Sequence, residues 1–245
     1  ADAFKYTLTQ PTTNADITAK GLTVTGATVT PKVYDGNDTA TITGATLSGV
    51  VSGDVVTLTN ASTGTSNAKP RGRGKPVTTA PMTLTGTDAG NYTLTQPALT
   101  GDITAKGLTV TGITANNKAY DGTTTATLDT TGATLAGKVT GDDVSLITAG
   151  ATGAFSDANL GSGKLVQVSG LSLSGVDKGN YSLAQPTTTA NISPAGLTVA
   201  GIWATDKSYD GATNATLIVS NAALVGVMSG DTVTLVTTNA GGAFG

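Results

Sequence analysis

Lysine, tyrosine and aspartate occur together in a short motif, Lys-x-Tyr-Asp-Gly, which the chain contains three times. An aromatic ring beside a carboxylate can bind a sugar or a cation. The same residues can instead build a turn, because glycine tolerates positive φ, aspartate accepts nearby amides and tyrosine buries its ring. The turn is the favoured interpretation, since aromatic residues form only 4% of the chain and a core needs them. The motif residues are Tyr34, Asp35 and Gly36, then Tyr120, Asp121 and Gly122, then Tyr209, Asp210 and Gly211.

The composition speaks against catalysis. The chain has no histidine, cysteine or glutamate, so all sixteen acidic residues are aspartates, and these are scattered at turns. General acid–base catalysis usually recruits His, Glu, Asp, Lys, Tyr or Cys held in a cleft, and thiolate nucleophiles and zinc–thiolate sites need cysteine. We therefore expect that the protein is not an enzyme and that it has no catalytic residue.

No cofactor is expected either, with calcium as the alternative. Two aspartate pairs lie in loops, Asp35 with Asp38 and Asp142 with Asp143. A calcium ion takes six to eight oxygen ligands, and no Asp-x-Asp-x-Asp run supplies them. Such pairs more often accept hydrogen bonds within turns.

A lysine–asparagine isopeptide crosslink is a further option for a sandwich domain that lacks cysteine. The motif lysines Lys32, Lys118 and Lys207 would supply the amine, and Asn91 and Asn180 the amide. The simpler interpretation keeps each lysine in water beside its turn.

Four positive charges fall within a glycine- and proline-rich stretch, residues 64–76. They are Lys69, Arg71, Arg73 and Lys75. A basic loop on a chain with net charge −3 can contact an anionic polysaccharide or another subunit. The alternative is a solvated loop that has diverged, because the matching stretch 158–164 has one charge. Phe155, which has a counterpart in Phe244, aligns with Ser66, so we expect this loop to pack differently.

The three motifs also set the spacing of the whole chain. Their tyrosines lie 86 and then 89 residues apart, which exceeds the roughly 20–50 residues of solenoid and propeller repeats. The spacing is close to the roughly 100 residues of an immunoglobulin-like sandwich. It predicts a leading segment, 1–20, that holds the C-terminal strands of a truncated repeat, and two complete repeats, 21–105 (first repeat) and 106–194 (second repeat). Residues 195–245 are the N-terminal part of a further truncated repeat (third repeat).

Threonine, valine and tyrosine favour strands, and strong helix formers are scarce, so the fold is predicted to be all-β. Each complete repeat contains about seven short alternating segments separated by turns. This pattern predicts tandem immunoglobulin-like β-sandwich domains. Because only Ala105-Lys106 and Pro194-Ala195 separate the repeats, we expect an elongated rod.

Charge and hydropathy exclude two classes of partner. The net charge of −3 gives no broad basic field, so nucleic acid is not expected. No apolar run approaches the roughly 20 residues of a membrane span. The chain opens directly into strand-like sequence without a signal peptide, so we expect it to be a piece of a longer protein.

Five short segments recur in register: Gly-Leu-Thr-Val, Lys-x-Tyr-Asp-Gly, Gly-Asp-x-Val, Gly-Lys-x-Val and Gly-Asn-Tyr-x-Leu. This combination resembles the YDG and MBG repeat domains of large bacterial surface proteins, including filamentous-haemagglutinin-like adhesins exported by two-partner secretion. The resemblance covers essentially the whole chain and implies immunoglobulin-like repeats in a stalk, with no catalytic residues to transfer. The departures are the basic stretch 69–75, and Pro194-Ala195 where the first repeat has Ala19-Lys20.

The resemblance implies structural stalk or spacer repeats of a secreted or surface-anchored bacterial adhesin, supporting cell adhesion or biofilm. The alternative is a segment that assembles chain to chain into an extracellular filament or matrix fibre. The expected partners are neighbouring repeats, other copies of the chain or an anionic polysaccharide. The expected location is the cell surface or biofilm matrix of a bacterium.

Overall fold

Nearly all regular structure in the chain is β-strand. The computed structural model describes residues 2–245, so Ala1, part of the predicted segment 1–20, lies outside the described residues. Within that range the only helical elements are three 3₁₀ turns, at Ala3–Lys5, Ala89–Asn91 and Lys178–Asn180. The all-β prediction is confirmed. Among residues 2–245, no helix has the length and apolar character that crossing a bilayer requires.

The chain divides into two compact units. Of the described residues, the first unit comprises 2–106 together with 179–182, and the second comprises 107–178 and 183–245. The first unit thus combines the first repeat with a four-residue segment of the second. The second unit holds the rest of the second repeat and the whole of the third.

Eleven strands lie between residues 20 and 104. They are β1 (Lys20–Thr25), β2 (Thr28–Val29), β3 (Lys32–Val33), β4 (Thr39–Thr43), β5 (Thr46–Ser48), β6 (Thr57–Thr59), β7 (Thr63–Ser66), β8 (Gly72–Thr79), β9 (Thr83–Thr85), β10 (Tyr92–Thr95) and β11 (Leu99–Thr104). Strand β1 lies between β10, which is parallel to it, and β5, which is antiparallel. A six-stranded sheet has the order β2-β4-β7-β8-β11-β3, and β6 pairs with β9.

The core of the first repeat follows from the alternation of threonine with apolar residues. In β4, Ala40 and Ile42 are buried while the intervening threonines face outward, as expected for a strand with one solvated face. Side chains of both sheets meet in one cluster, since Val24 and Leu94 pack against the buried residues of the six-stranded sheet. The buried members of this cluster are Ala40, Ile42, Val77, Met82 and Leu99.

The second repeat contributes twelve strands. They are β12 (Lys106–Thr111), β13 (Thr114–Ala115), β14 (Lys118–Ala119), β15 (Thr125–Ala126), β16 (Leu128–Asp129), β17 (Thr134–Ala136), β18 (Ser145–Ile147), β19 (Thr152–Phe155), β20 (Gly161–Ser169), β21 (Ser172–Ser174), β22 (Tyr181–Leu183) and β23 (Thr187–Ser193). A five-stranded sheet has the order β14-β23-β20-β19-β15. Phe155, Val166 and Ile192 form the centre of its core, and a second cluster contains Val110 and Val168.

The third repeat has six short strands and no buried residue. The strands are β24 (Thr198–Ala200), β25 (Trp203–Ala204), β26 (Asn214–Ala215), β27 (Leu217–Ile218), β28 (Ala223–Val225) and β29 (Gly242–Ala243), joined only in pairs. Leu197 is 39% exposed, whereas its counterpart Leu108 is 0% exposed. Leu108 lies in β12, which has β17 on one side and β22 on the other, whereas β24 in the third repeat pairs only with β28. Residues 195–245 contain no counterpart of β22.

Residues 6–19 contain no strand and are exposed to solvent. The matching segment of the first repeat, β10, is a strand because it pairs with β1. The assignment of residues 1–20 to the end of a truncated repeat rests on the sequence match and stays a prediction.

The basic stretch differs from the expected loop. Strand β8 begins at Gly72, so Arg73 and Lys75 lie in a strand, and only Lys69 and Arg71 precede it. The alternation of polar and apolar residues that marks other strands is absent from β8, because it contains Pro76 and two glycines and only Val77 is buried. Pairing with β11, rather than local pattern, determines this strand.

Candidate functional site

The Lys-x-Tyr-Asp-Gly motif forms a closed network of hydrogen bonds. In the second repeat, Lys118 Nζ lies 2.7 Å from Asp121 Oδ1 and also donates to the carbonyl oxygen of Thr123 at 2.8 Å. Asp121 Oδ1 accepts the backbone N–H of Thr123 at 2.9 Å. Gly122 has a φ of +74°, a conformation that residues with a Cβ rarely adopt. Both charged groups are therefore held by the turn itself.

The other two copies of the motif repeat this geometry. The Nζ–Oδ1 distances are 2.8 Å for Lys32 with Asp35 and 2.9 Å for Lys207 with Asp210. Backbone N–H groups donate to the same carboxylates, from Asn37 at 3.1 Å and from Ala212 at 3.0 Å. The interpretation of the motif as a turn therefore has a specific physical basis in each copy.

These contacts also shift the acidity of the aspartates. The hydrogen bond from Lys118, supported by Thr123, lowers the pKa of Asp121 to about 2. The bond from Lys207 lowers the pKa of Asp210. For Asp35, burial acts to raise the pKa, but the bonds from Lys32 and Asn37 outweigh it and the pKa is lowered. Each carboxylate is ionised near neutral pH and already paired with an ammonium, which disfavours a second cation.

An aromatic ring covers the motif lysine in two copies. Lys118 Nζ lies 5.6 Å from the ring centroid of Phe155, and Lys207 Nζ lies 5.8 Å from that of Phe244, within the range of a cation–π contact. In the first repeat Ser66 is buried at this position, and its Oγ donates to the carbonyl of Ala68 at 3.1 Å. The first repeat therefore packs differently at this position, as expected, because a serine hydroxyl replaces the aromatic ring beside the motif lysine.

The backbone at this position is nevertheless alike in the repeats. The N–H of Phe155 donates to Thr124 O at 2.7 Å, and the N–H of Ser66 donates to Asp38 O at 2.7 Å. The exchange of phenylalanine for serine thus leaves the pairing of this strand with the motif turn in place.

The three motif tyrosines have different environments. Tyr34 is buried, and its ring makes an edge-to-face contact with Tyr181 at a centroid distance of 5.5 Å. The Tyr120 hydroxyl donates to Asp231 Oδ1 at 3.0 Å, whereas Tyr209 is 98% exposed. For Tyr120 the acceptor is a carboxylate of the third repeat, which no local pattern could indicate.

A second tyrosine of each complete repeat lies in the Gly-Asn-Tyr segment. Tyr92 is buried, and its hydroxyl donates to Asp54 Oδ2 at 2.5 Å while accepting the N–H of Val51 at 3.0 Å. The bond to Asp54 raises the pKa of Tyr92, since it favours the protonated phenol. Asn180 is also buried, and its Oδ1 accepts the backbone N–H of Arg71 at 3.0 Å. Both Gly-Asn-Tyr segments thus end in a buried tyrosine, Tyr92 and Tyr181.

The sequence analysis missed the role of the aspartate in the Gly-Asp turn. Asp54 and Asp231 each accept a tyrosine hydroxyl. The recurrence of Gly-Asp at 53–54, 141–142 and 230–231 is visible in the sequence, but the local pattern does not indicate a tyrosine partner for its aspartate.

One protein family matches the sequence along most of its length. The sequence model of the YDG domain matches residues 18–99, 104–190 and 193–245. The chain belongs to the YDG domain family. The resemblance to YDG repeats is thereby confirmed. The comparisons found no match among curated proteins and none among solved structures.

The basic cluster (Lys69, Arg71, Arg73 and Lys75) distinguishes the first YDG repeat from the second. In the second repeat Lys164 Nζ lies 2.6 Å from Asp157 Oδ1, and this bond lowers the pKa of Asp157. Lys75 occupies the same place in the first repeat, but Ala68 replaces the aspartate. Within residues 2–245, no carboxylate lies within ion-pair distance of the basic cluster. Asp102 accepts the backbone N–H of Gly74 at 2.7 Å, so the cluster is a local excess of positive charge with one carboxylate beside it.

The candidate metal and crosslink residues do not converge. Among the described residues, no group of three or more acidic, histidine or cysteine side chains could hold a metal ion. Lys32 Nζ contacts Asp35 and Asn37, rather than the asparagine of a Gly-Asn-Tyr segment. The asparagine that Lys32 contacts belongs to its own turn, and a crosslink to Asn91 or Asn180 stays a prediction.

Proposed function

We propose that these YDG repeats are structural stalk or spacer repeats of a secreted or surface-anchored bacterial adhesin, supporting cell adhesion or biofilm formation. The observation that carries this proposal is the closure of the motif. In all three copies the ammonium and carboxylate satisfy each other and the turn backbone. The lysine and the aspartate of each motif are thus used to build the turn of the repeat.

The fold proposed for each complete repeat is an immunoglobulin-like β-sandwich. The support is the shared core of the first repeat, in which Val24 and Leu94 of one sheet pack against Ile42, Val77 and Leu99 of the other. Two sheets that face each other across one apolar layer are the defining feature of a sandwich. An elongated rod is part of the same proposal, supported by the short connections in the sequence.

An extracellular location at the bacterial surface or in the biofilm matrix belongs to this proposal. The absence of cysteine means that each repeat must hold together by packing and hydrogen bonds, independent of the redox state of its compartment. The hydrogen-bonded turns and threonine-rich strand surfaces meet that requirement.

An exchange experiment in the parent surface protein tests the spacer function. Residues 21–194 are replaced by unrelated β-sandwich repeats of the same total length, and adhesion is measured with surface display as the control. A spacer predicts full adhesion after the exchange and reduced adhesion after deletion of the same residues. Loss of adhesion in the correctly displayed exchange variant would contradict the proposal.

A second candidate function, binding of an anionic polysaccharide, is favoured by one observation. Lys75 keeps the position of Lys164 but lacks the carboxylate that neutralises it, and Arg71 and Arg73 add further charge nearby. Such a cluster attracts a polyanion in a salt-dependent manner.

Affinity electrophoresis through alginate tests this second function. We expect retardation of the chain at low salt that disappears in the Arg71→Ala/Arg73→Ala variant. The control is Lys5→Ala/Lys20→Ala, which removes the same charge outside the cluster. Equal retardation of both double variants would show that the cluster is not a binding site.

A further inference from the structure

Consecutive YDG repeats contact each other through the motif tyrosine. Within the second unit, Tyr120 of the second repeat donates its hydroxyl hydrogen to Asp231 Oδ1 of the third repeat at 3.0 Å. The turn that contains Asp231 is closed by a bond from its own N–H to Met228 O at 3.1 Å. A Cβ built on Gly122 would lie 4.0 Å from Met228 Cβ. The Tyr-Asp-Gly turn of one repeat thus lies against the Gly-Asp turn of the next.

The same Gly-Asp turn binds a tyrosine of its own repeat. In the first repeat, Asp54 closes an equivalent turn by donating its N–H to Val51 O at 3.1 Å. Its Oδ2 accepts the hydroxyl of Tyr92, the tyrosine of the Gly-Asn-Tyr segment, at 2.5 Å. In the first repeat the aspartate of this turn therefore accepts the hydroxyl of a tyrosine from its own repeat. In the third repeat it accepts the hydroxyl of a tyrosine from the preceding repeat.

A third contact brings the two kinds of tyrosine together. Within the first unit, the motif tyrosine Tyr34 and the Gly-Asn-Tyr residue Tyr181 are both buried. Their rings meet at 5.5 Å with an interplanar angle of 80°, the edge-to-face geometry that aromatic pairs prefer. Tyr34 belongs to the first repeat and Tyr181 to the second.

These three contacts occur at different places along the chain, but together they link the same three kinds of residue in pairs. The three residues are the motif tyrosine of one repeat and, in the repeat that follows, the aspartate of the Gly-Asp turn and the tyrosine of the Gly-Asn-Tyr segment. A carboxylate has two oxygens with about four lone-pair sites, so it can accept two phenolic hydroxyls together. The contacts are compatible with one another in a single site.

We propose that the junction between the second and third repeats is a docking site in which the carboxylate of Asp231 binds the Tyr120 hydroxyl and, where the third repeat is complete, the hydroxyl of its Gly-Asn-Tyr tyrosine as well. The partner that the Tyr-Asp-Gly turn fits is the Gly-Asp turn of a following YDG repeat. The ion pair between the motif lysine and aspartate holds the turn, and so positions the tyrosine for this contact. This inference goes beyond the spacer function, because the junction would exist whatever the repeats support.

Tyrosine titration in the intact chain tests the junction. The Tyr120 hydrogen bond to Asp231 raises the pKa of Tyr120. Ring carbon signals are followed by NMR from pH 8 to 12, with each tyrosine assigned by a Tyr→Phe variant. Asp231→Asn should lower the pKa of Tyr120 and leave Tyr92 unchanged, while Asp54→Asn should lower the pKa of Tyr92 and leave Tyr120 unchanged. A pKa of Tyr120 that is the same in Asp231→Asn and in the parent chain would overturn the proposal.

Limited proteolysis supplies a second readout with a matched control. Tyr120→Phe removes the hydroxyl at the junction, and Tyr209→Phe makes the same chemical change in a motif tyrosine that is 98% exposed. We expect cleavage within residues 195–245 to become several-fold faster in Tyr120→Phe and to stay unchanged in Tyr209→Phe. Equal cleavage rates for the two variants would show that the hydroxyl does not hold the third repeat.

Discussion

At the scale of single residues, the motif aspartate and lysine act as one unit. Three aspartates keep lowered pKa values because each accepts a lysine ammonium and a backbone amide. The residue types of the motif allowed a ligand site or a turn, and the geometry explains the preference for the turn. The acceptor of the Tyr120 hydroxyl could not be predicted from the sequence, because Tyr120 and Asp231 are 111 residues apart.

Acid should weaken the second repeat through Asp121. Its pKa in the folded chain is about 2, against an ordinary value of 3.8. A carboxyl group whose pKa is lowered by folding stabilises the protein above the ordinary value, and the effect is lost as the pH falls from about 4 to about 2. Melting temperatures measured across this range should fall more steeply for the parent chain than for Asp121→Asn. Asp16→Asn, in the exposed segment 6–19, is the control and should match the parent chain.

Phe155 should matter far more than its counterpart in the third repeat. Phe155 is 3% exposed and packs in the core of the second repeat, whereas Phe244 is 43% exposed. Phe155→Ala should lower the free energy of unfolding by about 3–5 kcal/mol, as for other buried phenylalanines. Phe244→Ala should change it by less than about 1 kcal/mol. Urea denaturation measures both, and similar losses would mean that the burial of Phe155 is not the cause.

At the scale of elements, strands with alternating threonine and apolar residues are visible in the sequence, and irregular ones are not. Residues 39–42 show the alternation and form β4. Strand β8 was missed in its first half, because Gly72, Gly74 and Pro76 carry no apolar pattern. Its position depends on pairing with β11, including a register shift between Gly101 and Ile103. The position and register of β8 therefore depend on residues far away in the sequence and cannot be predicted from its local pattern.

The glycine that follows β12 should be intolerant of substitution. Gly112 has a φ of +81°, and a Cβ built there would lie 2.0 Å from the carbonyl oxygen of Gly132. Gly112→Ala should therefore cost at least about 1–2 kcal/mol from the left-handed backbone alone, with the clash in addition. Gly107→Ala, within β12 and with open space at its Cβ, is the control. Chemical denaturation that gave equal stabilities for the two variants would contradict this account of the turn.

At the scale of the whole molecule, the sequence predicted the repeat family from five short segments in register, and the match of the YDG domain to three ranges agrees with it. The proposed rod, the adhesin context and the location at the cell surface rest on the resemblance and on the closed motif. Chain-to-chain assembly into a filament is the competing account. It would require surfaces of one copy to bind another, whereas spacer repeats dock only with their neighbours along the chain.

Sedimentation of the purified chain over a wide range of concentrations, with imaging of the same samples, tests the spacer account most directly. The account predicts one species with the mass of a single chain at every concentration and no ordered particles in the images. Growth of the mean mass with concentration, together with regular fibres whose axial step matches one or two repeats, would contradict it.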